Sequence, residues 1–278
     1  MDKIFRIKNE FGIDIDRTFD CGQCFRFDKV EDSAFEVEYR GVAFGRQVSF
    51  AQDGEYLCVI GADEGDFESL WRRYLSLDED YGAIHGELLA LSDNEALRLA
   101  VEHGKGIRIL RQDPWETICS FIISQNNNIP RIKGLISALS REAGEKIAEG
   151  VYSFPTAEAV AGLGVDRLRE LKMGFRAPYI IDAAQKVVCG ELDIDAVASL
   201  DTPEAEKALC AVKGIGPKVA DCALLFGFSK YDAFPIDVWI KKVIAKYFDE
   251  SFDPRGLGRY AGVAQQVLFY YERYVNNN

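Results

Sequence analysis

The stretch VKGIGPKVADCALLFGF, from Val212 to Phe228, constrains the fold of this chain more than any other. Gly214 and Gly216 lie two residues apart, a proline follows at once, and an apolar run comes after it. Glycine supplies the backbone freedom a tight turn needs, and proline is preorganised for the first position of a helix. The pattern predicts a helix from about Pro203 to Val212, a turn at Gly214-Ile215-Gly216, and a second helix from Pro217. This is a helix–hairpin–helix over about residues 203–228. The amides opening its second helix point outward, where an anion such as a DNA phosphate can be held. Contacts of that kind position a nucleic acid without reading its sequence.

Lys218 falls in the first turn of that second helix. A cation there opposes the positive end of the helix dipole, and Val219, Ala220 and Leu224 can desolvate it. Both effects favour the neutral amine, a nucleophile able to form a Schiff base with a carbonyl-like carbon. An exposed lysine that touches phosphate or water would show the same local pattern. Asp237 stands nineteen residues later, at the mouth of the next predicted helix, VWIKKVIAKYF. It reads as a plain N-cap, as a carboxylate returned beside the lysine, or as both. Lysine facing a fixed carboxylate suits attack on the anomeric carbon of a nucleotide.

The rest of the chain divides into two parts, 1–105 and 106–278. In the first, FEVEYR alternates as a half-buried strand does, and QVSFAQDGEYLCVI reads as two strands joined at Asp53-Gly54. An antiparallel sheet is expected there, with a helical pattern setting in near Phe67. From Asp113 onward the pattern is almost wholly helical, so the fold class is α+β. Asp113-Pro114-Trp115-Glu116 supplies an N-cap, a first-turn proline and a capping-box carboxylate. Thr156, Asp166 and Asp201 are expected to cap further helices, and the terminal Asn276–Asn278 to fray.

Seven scattered cysteines read as reduced thiols. The pair in CGQC precedes a strand-like FRFDKV, which suits a turn entering a strand better than a redox motif. Two isolated histidines offer no zinc site. No run reaches the length of a membrane span and the charged N-terminus lacks a signal-peptide core, so an intracellular protein is expected, in cytoplasm or nucleoid if bacterial. The net charge of −12 argues against a nucleic-acid partner until it is divided. Residues 1–105 carry 12 Lys/Arg against 23 Asp/Glu, and residues 106–278 carry 21 against 22. The second part has room for a local basic face.

KGIGPKVADCALL followed by FPIDVWI resembles the lysine-bearing hairpin and Pro-x-Asp segment of the helix–hairpin–helix base-excision glycosylases, and within them the 8-oxoguanine DNA glycosylases. The resemblance extends, in order, through DCGQCFRF, WRRYLSLDEDY, IRILRQDPWETICSFIISQNNNIPRI, MGFRAPYI and AGVAQQVLF. It implies a bifunctional glycosylase and abasic-site lyase that flips a damaged nucleotide out of duplex DNA. Lys218 would attack C1′ and Asp237 would orient it and stabilise charge on the sugar. The carbonyl of Gly22 would accept the N7 proton that 8-oxoguanine has and guanine lacks. Cys222 and Phe269 would sandwich the base, though each could equally be helix core, and Gln265 would read its Watson–Crick edge. Asn126, Arg131 and Arg176 would meet the orphaned cytosine, and Phe175 would fill the vacated stack. Gly214 and Gly216 would bring the hairpin to phosphate.

Some positions depart from the family pattern. Trp239 stands where many relatives have a histidine, so the grip on DNA there is expected to differ, resting on stacking or on Lys241 or Lys242. Pro130 and Pro178 replace other residues, which leaves the opposite-base preference open. No cysteine follows Cys222, so no C-terminal iron–sulfur cluster loop is expected. The resemblance implies no required cofactor, admits a monovalent cation on hairpin carbonyls, and suggests a monomer acting on damaged double-stranded DNA. A glycosylase for another base, such as an alkylated purine, and a non-catalytic DNA-binding module are the rival readings.

Overall fold

The computed structural model describes residues 3–275. The expected α+β architecture is present. Strands β1 (Ile4–Lys8), β2 (Phe27–Lys29), β3 (Val37–Ala43), β4 (Arg46–Asp53) and β5 (Tyr56–Ile60) form one antiparallel sheet in the order β1-β5-β4-β3-β2. Alternation along the strands sets its register. Phe50 pairs with Tyr39 on one side and Val59 on the other, and all three are buried against Phe67, Trp71 and Tyr74. The β4–β5 turn lies one residue later than expected, at Gly54-Glu55.

The expected boundary at 105 does not coincide with the division of the core. The sheet's core ends in sequence near Leu77, with Leu110 returning to it. Tyr81, Leu88, Leu97 and Val101 pack instead into the core of the helical region, together with Ile118, Leu224 and Val267. The amphipathic Glu95–His103 helix buries Leu97, Ala100 and Val101, which the helical core accepts.

Helix starts mostly follow the local signals. Asp113 accepts from the Glu116 amide at 2.8 Å, Thr156 from Ala159 at 3.2 Å, and Asp201 from Glu204 at 2.9 Å. Two expectations are corrected. The Glu116 side chain does not complete a capping box; it pairs with Arg26 across the joint to the sheet. Asp166 does not open a helix, because the break falls at Gly164, with φ +74°, and its carboxylate binds Arg169 instead. The three terminal asparagines lie outside the described residues.

The hairpin has the predicted form: helix Thr202–Cys210, a turn, then helix Pro217–Gly227. Gly214 has φ +81°, and a Cβ there would lie 2.2 Å from the Tyr179 ring. The same helix, Ala177–Val188, pins the turn one winding further on, where Asp182 accepts from the Lys213 amide at 2.7 Å. No described helix is long and apolar enough to cross a membrane.

Candidate active site

A cleft of about 690 Å³ opens where the Gly22 turn, the 124–129 turn, the hairpin and the start of the Val238–Tyr247 helix converge. At its floor a recess of about 70 Å³ is walled by Lys218, Asp237, Cys222, Gln265 and Phe269 among others. Residues drawn from five separate stretches of sequence thus face one space.

Lys218 is half-buried in the first turn of the Pro217–Gly227 helix, its Nζ 5.5 Å from the Phe121 ring centroid. Phe121 was not singled out from the sequence, because it sits in SFIIS and has the pattern of plain core. Gly216 provides no side-chain cap, and among the described residues the amides of Gly216 and Lys218 have no protein acceptor. The start of this helix thus keeps free backbone donors, the feature that lets a helix N-terminus accept an anion.

Asp237 is the N-cap of its helix. Its Oδ1 accepts from the amides of Trp239 at 2.9 Å and Ile240 at 2.8 Å, which fixes the carboxylate, while Oδ2 accepts from no described residue. The Cys222 thiol records both charges. Burial pushes it up to about 11, with Lys218 pulling it down and Asp237 pushing it further up. Lysine and carboxylate therefore both lie close enough to act on the one sulfur.

Gly22 has φ +78°, and a Cβ on it would come within 3.6 Å of Phe269. Its turn is braced from beneath. The fully buried Gln23 donates to the carbonyls of Thr18 and Arg108, each at 2.8 Å, and accepts from the Leu110 amide. Gln266 donates to the carbonyl of Cys21 at 2.8 Å. Neither glutamine stood out in the sequence, since a buried amide hub has no local signature. The Cys21 thiol is pushed up to about 12 by burial, which suits an inert turn and not a redox pair.

Asn126 is exposed with φ +48°, a left-handed conformation that asparagine tolerates better than most residues. Arg131 is exposed in the first turn of Ile129–Ala143, and Phe175 is 49% exposed, edge-on to Tyr179. Arg176 is placed differently from the expected base-reading side chain. It is only 3% exposed, and its guanidinium donates to the carbonyls of Gln125 and Asn126. It holds the Asn126 turn from below, and Phe175 lies 4.4 Å from its guanidinium.

Residues 4–118 match the family described as 8-oxoguanine DNA glycosylase, N-terminal domain, and residues 119–254 the HhH-GPD superfamily of base excision DNA repair proteins. A solved 8-oxoguanine glycosylase/lyase from Clostridium acetobutylicum, in complex with DNA containing cytosine opposite 8-oxoG, superposes with a TM-score of 0.89. It is 37% identical, over 100% of this chain and 99% of that one. The chain belongs to the 8-oxoguanine DNA glycosylase/lyase family. An N-glycosylase/DNA lyase of Saccharomyces cerevisiae is 33% identical over 64% of this chain, which spans about half (51%) of the yeast protein. A probable N-glycosylase/DNA lyase of Methanothermobacter thermautotrophicus is 30% identical, over 65% of this chain and 68% of that protein.

In this glycosylase/lyase family member, the Oε1 of Gln265 is buried at the recess with no hydrogen-bond partner among the described residues. An orphaned acceptor lowers stability unless a ligand uses it. Gln265→Leu is expected to stabilise the fold by roughly 1 kcal/mol and to slow base release by about tenfold or more. Thermal melts and single-turnover excision measure the two effects. A less stable variant with full activity would sink the idea.

Glu116 of this family member has a second, measurable property. Its carboxyl is pushed by burial to about 7 from an ordinary 4.5, despite Arg26 at 3.2 Å. The folded state thus binds the proton more tightly than the unfolded chain. Stability from this group is greatest below about pH 4.5, falls as pH rises through about 7, and is then flat. The unfolding free energy of the wild type minus that of Glu116→Gln should therefore decline by up to about 3 kcal/mol from pH 5 to pH 8, with the difference in melting temperature falling in step. Parallel melting curves across that range would refute it.

Proposed function

We propose that this chain excises 8-oxoguanine from duplex DNA and then cleaves the strand at the abasic site. The observation that carries the reading is the convergence of Lys218, Asp237 and the unpartnered Gln265 acceptor on one recess. The amine lone pair of Lys218 forms a bond to C1′ as the glycosidic bond breaks, and that bond's electron pair leaves with the base. One amine proton is passed to the departing base and the other to the ring oxygen O4′ as the sugar ring opens, giving an imine. Removal of a C2′ proton then expels the 3′-phosphate by β-elimination. Asp237 orients the amine and balances positive charge on the sugar. Specificity resides in the Gly22 carbonyl. It accepts from the N7–H of 8-oxoguanine, whereas guanine would set two acceptors face to face.

Nucleophile and carboxylate are both side chains, so the proposed reaction draws on no cofactor and no iron–sulfur cluster. A monovalent cation suits the neutral carbonyl oxygens of the hairpin turn. The described residues contain no group of three or more His, Cys, Asp or Glu placed to hold a metal. Cys222 and Phe269 enclose the base, while Asn126, Arg131 and Phe175 face the duplex, as a monomer on double-stranded DNA requires.

The test is base release from duplexes that carry 8-oxoguanine opposite cytosine, intact guanine opposite cytosine, or an alkylated purine. Release of 8-oxoguanine alone supports the reading. Release of the alkylated purine alone would replace it with the sister activity, and binding without release would leave a DNA-binding module.

A further inference from the structure

We propose that Arg273 is a phosphate-binding residue that holds the backbone beside the flipped nucleotide. The inference rests on the DNA-glycosylase reading above. Arg273 lies on the last described turn, Tyr271–Val275, and lines the mouth of the cleft with Lys218, Trp239 and Lys241. Its guanidinium is 5.6 Å from the Phe269 ring centroid and 5.0 Å from that of Tyr274. One nitrogen lies 3.9 Å from where a Cβ on Gly22 would be, which fixes it at the edge of the base recess.

What distinguishes this arginine is what it does not bind. Among the described residues it makes no ion pair within 4.0 Å and donates no hydrogen bond, unlike Arg176 or Arg26. Its charge acts on the carboxyl of Asp20, pulling it down against the upward push of burial, without a direct contact between the two. A guanidinium fixed by two rings, with its donors unspent, is preorganised for a bidentate contact to phosphate. Lys242 does not fill this role in the same way, since its Nζ sits 4.4 Å over the Trp239 ring and it is not part of the cleft lining. Arg273 thus both backs Phe269, the wall of the base recess, and presents charge to the sugar–phosphate that must enter it.

Binding is measured in a Lys218→Gln background, so that bound DNA is not consumed. The ligands are an 8-oxoguanine duplex and a duplex with a tetrahydrofuran abasic analogue, each over a salt series. Arg273→Gln is expected to weaken both roughly tenfold and to reduce the slope of log affinity against log salt by about 0.9. Arg273→Lys should restore most of the slope. A neutral methylphosphonate is then placed at each phosphodiester flanking the lesion. At one position it should weaken the parent as Arg273→Gln does and add nothing to that variant. An unchanged salt slope, or methylphosphonate effects that simply add to the mutation at every position, would overturn the proposal and leave Arg273 as a support for Phe269. The abasic-analogue duplex separates this outcome from a failure of the substrate reading, because it needs no particular base. Should Arg273→Gln melt early, Arg273→Lys and the methylphosphonate scan of the parent decide the matter.

Discussion

Lys218→Gln is expected to abolish the covalent complex that borohydride traps on an 8-oxoguanine duplex, and to slow base release on the order of 10⁴-fold. Glutamine keeps the length and a polar tip but has no lone pair that can form an imine. The fold should survive, because Lys218 is half-buried and makes no ion pair among the described residues. The Phe121 ring beneath it leaves room for an amide of similar length. Loss of both readouts together is the signature of a nucleophile. A variant that loses trapping but still releases base at the parent rate would show that water, and not the lysine, attacks C1′.

The next largest effect is expected from Asp237→Asn, a slowing of base release of roughly 10²- to 10³-fold. This substitution is diagnostic because asparagine is also a good N-cap. Its side-chain oxygen can take the two amides that Oδ1 now accepts, from Trp239 and Ile240, so the helix start remains while the charge is removed. Asp237→Ala removes the cap too and should destabilise the chain by about 1 kcal/mol. Melting curves separate the two. If Asp237→Asn keeps wild-type activity, the residue is a cap and nothing more.

Much of this site can be read from sequence because its chemistry lies on local signals. Gly214 and Gly216 demand a turn, Pro217 opens a helix, and Asp237 precedes one, so Lys218 and Asp237 both fall at helix starts that capping rules locate to within a residue. The strands follow from alternation for the same reason. What remained hidden depends on partners far along the chain. Glu116 has the local pattern of a capping box, and only the packing of the sheet on the helices supplies Arg26 in place of its own backbone. Arg176 looks like a free guanidinium, yet the 125–126 carbonyls fold over it. Phe121 is one apolar residue among several in its helix until the hairpin lysine is laid against it.

The braces under the Gly22 turn come from both halves of the molecule. Gln23 bonds to the carbonyls of Thr18 and Arg108 and the amide of Leu110, and Gln266 reaches in from the Ala261–Tyr270 helix. Lys218 and Asp237 are held by the helical core alone. On the proposed reading, chemical power and lesion discrimination are therefore anchored differently. A molecule whose sheet loosens from the helices would keep the proposed nucleophile in place while the proposed means of telling damaged from intact guanine goes slack. The joint between the two cores would then be where the accuracy of repair is stored.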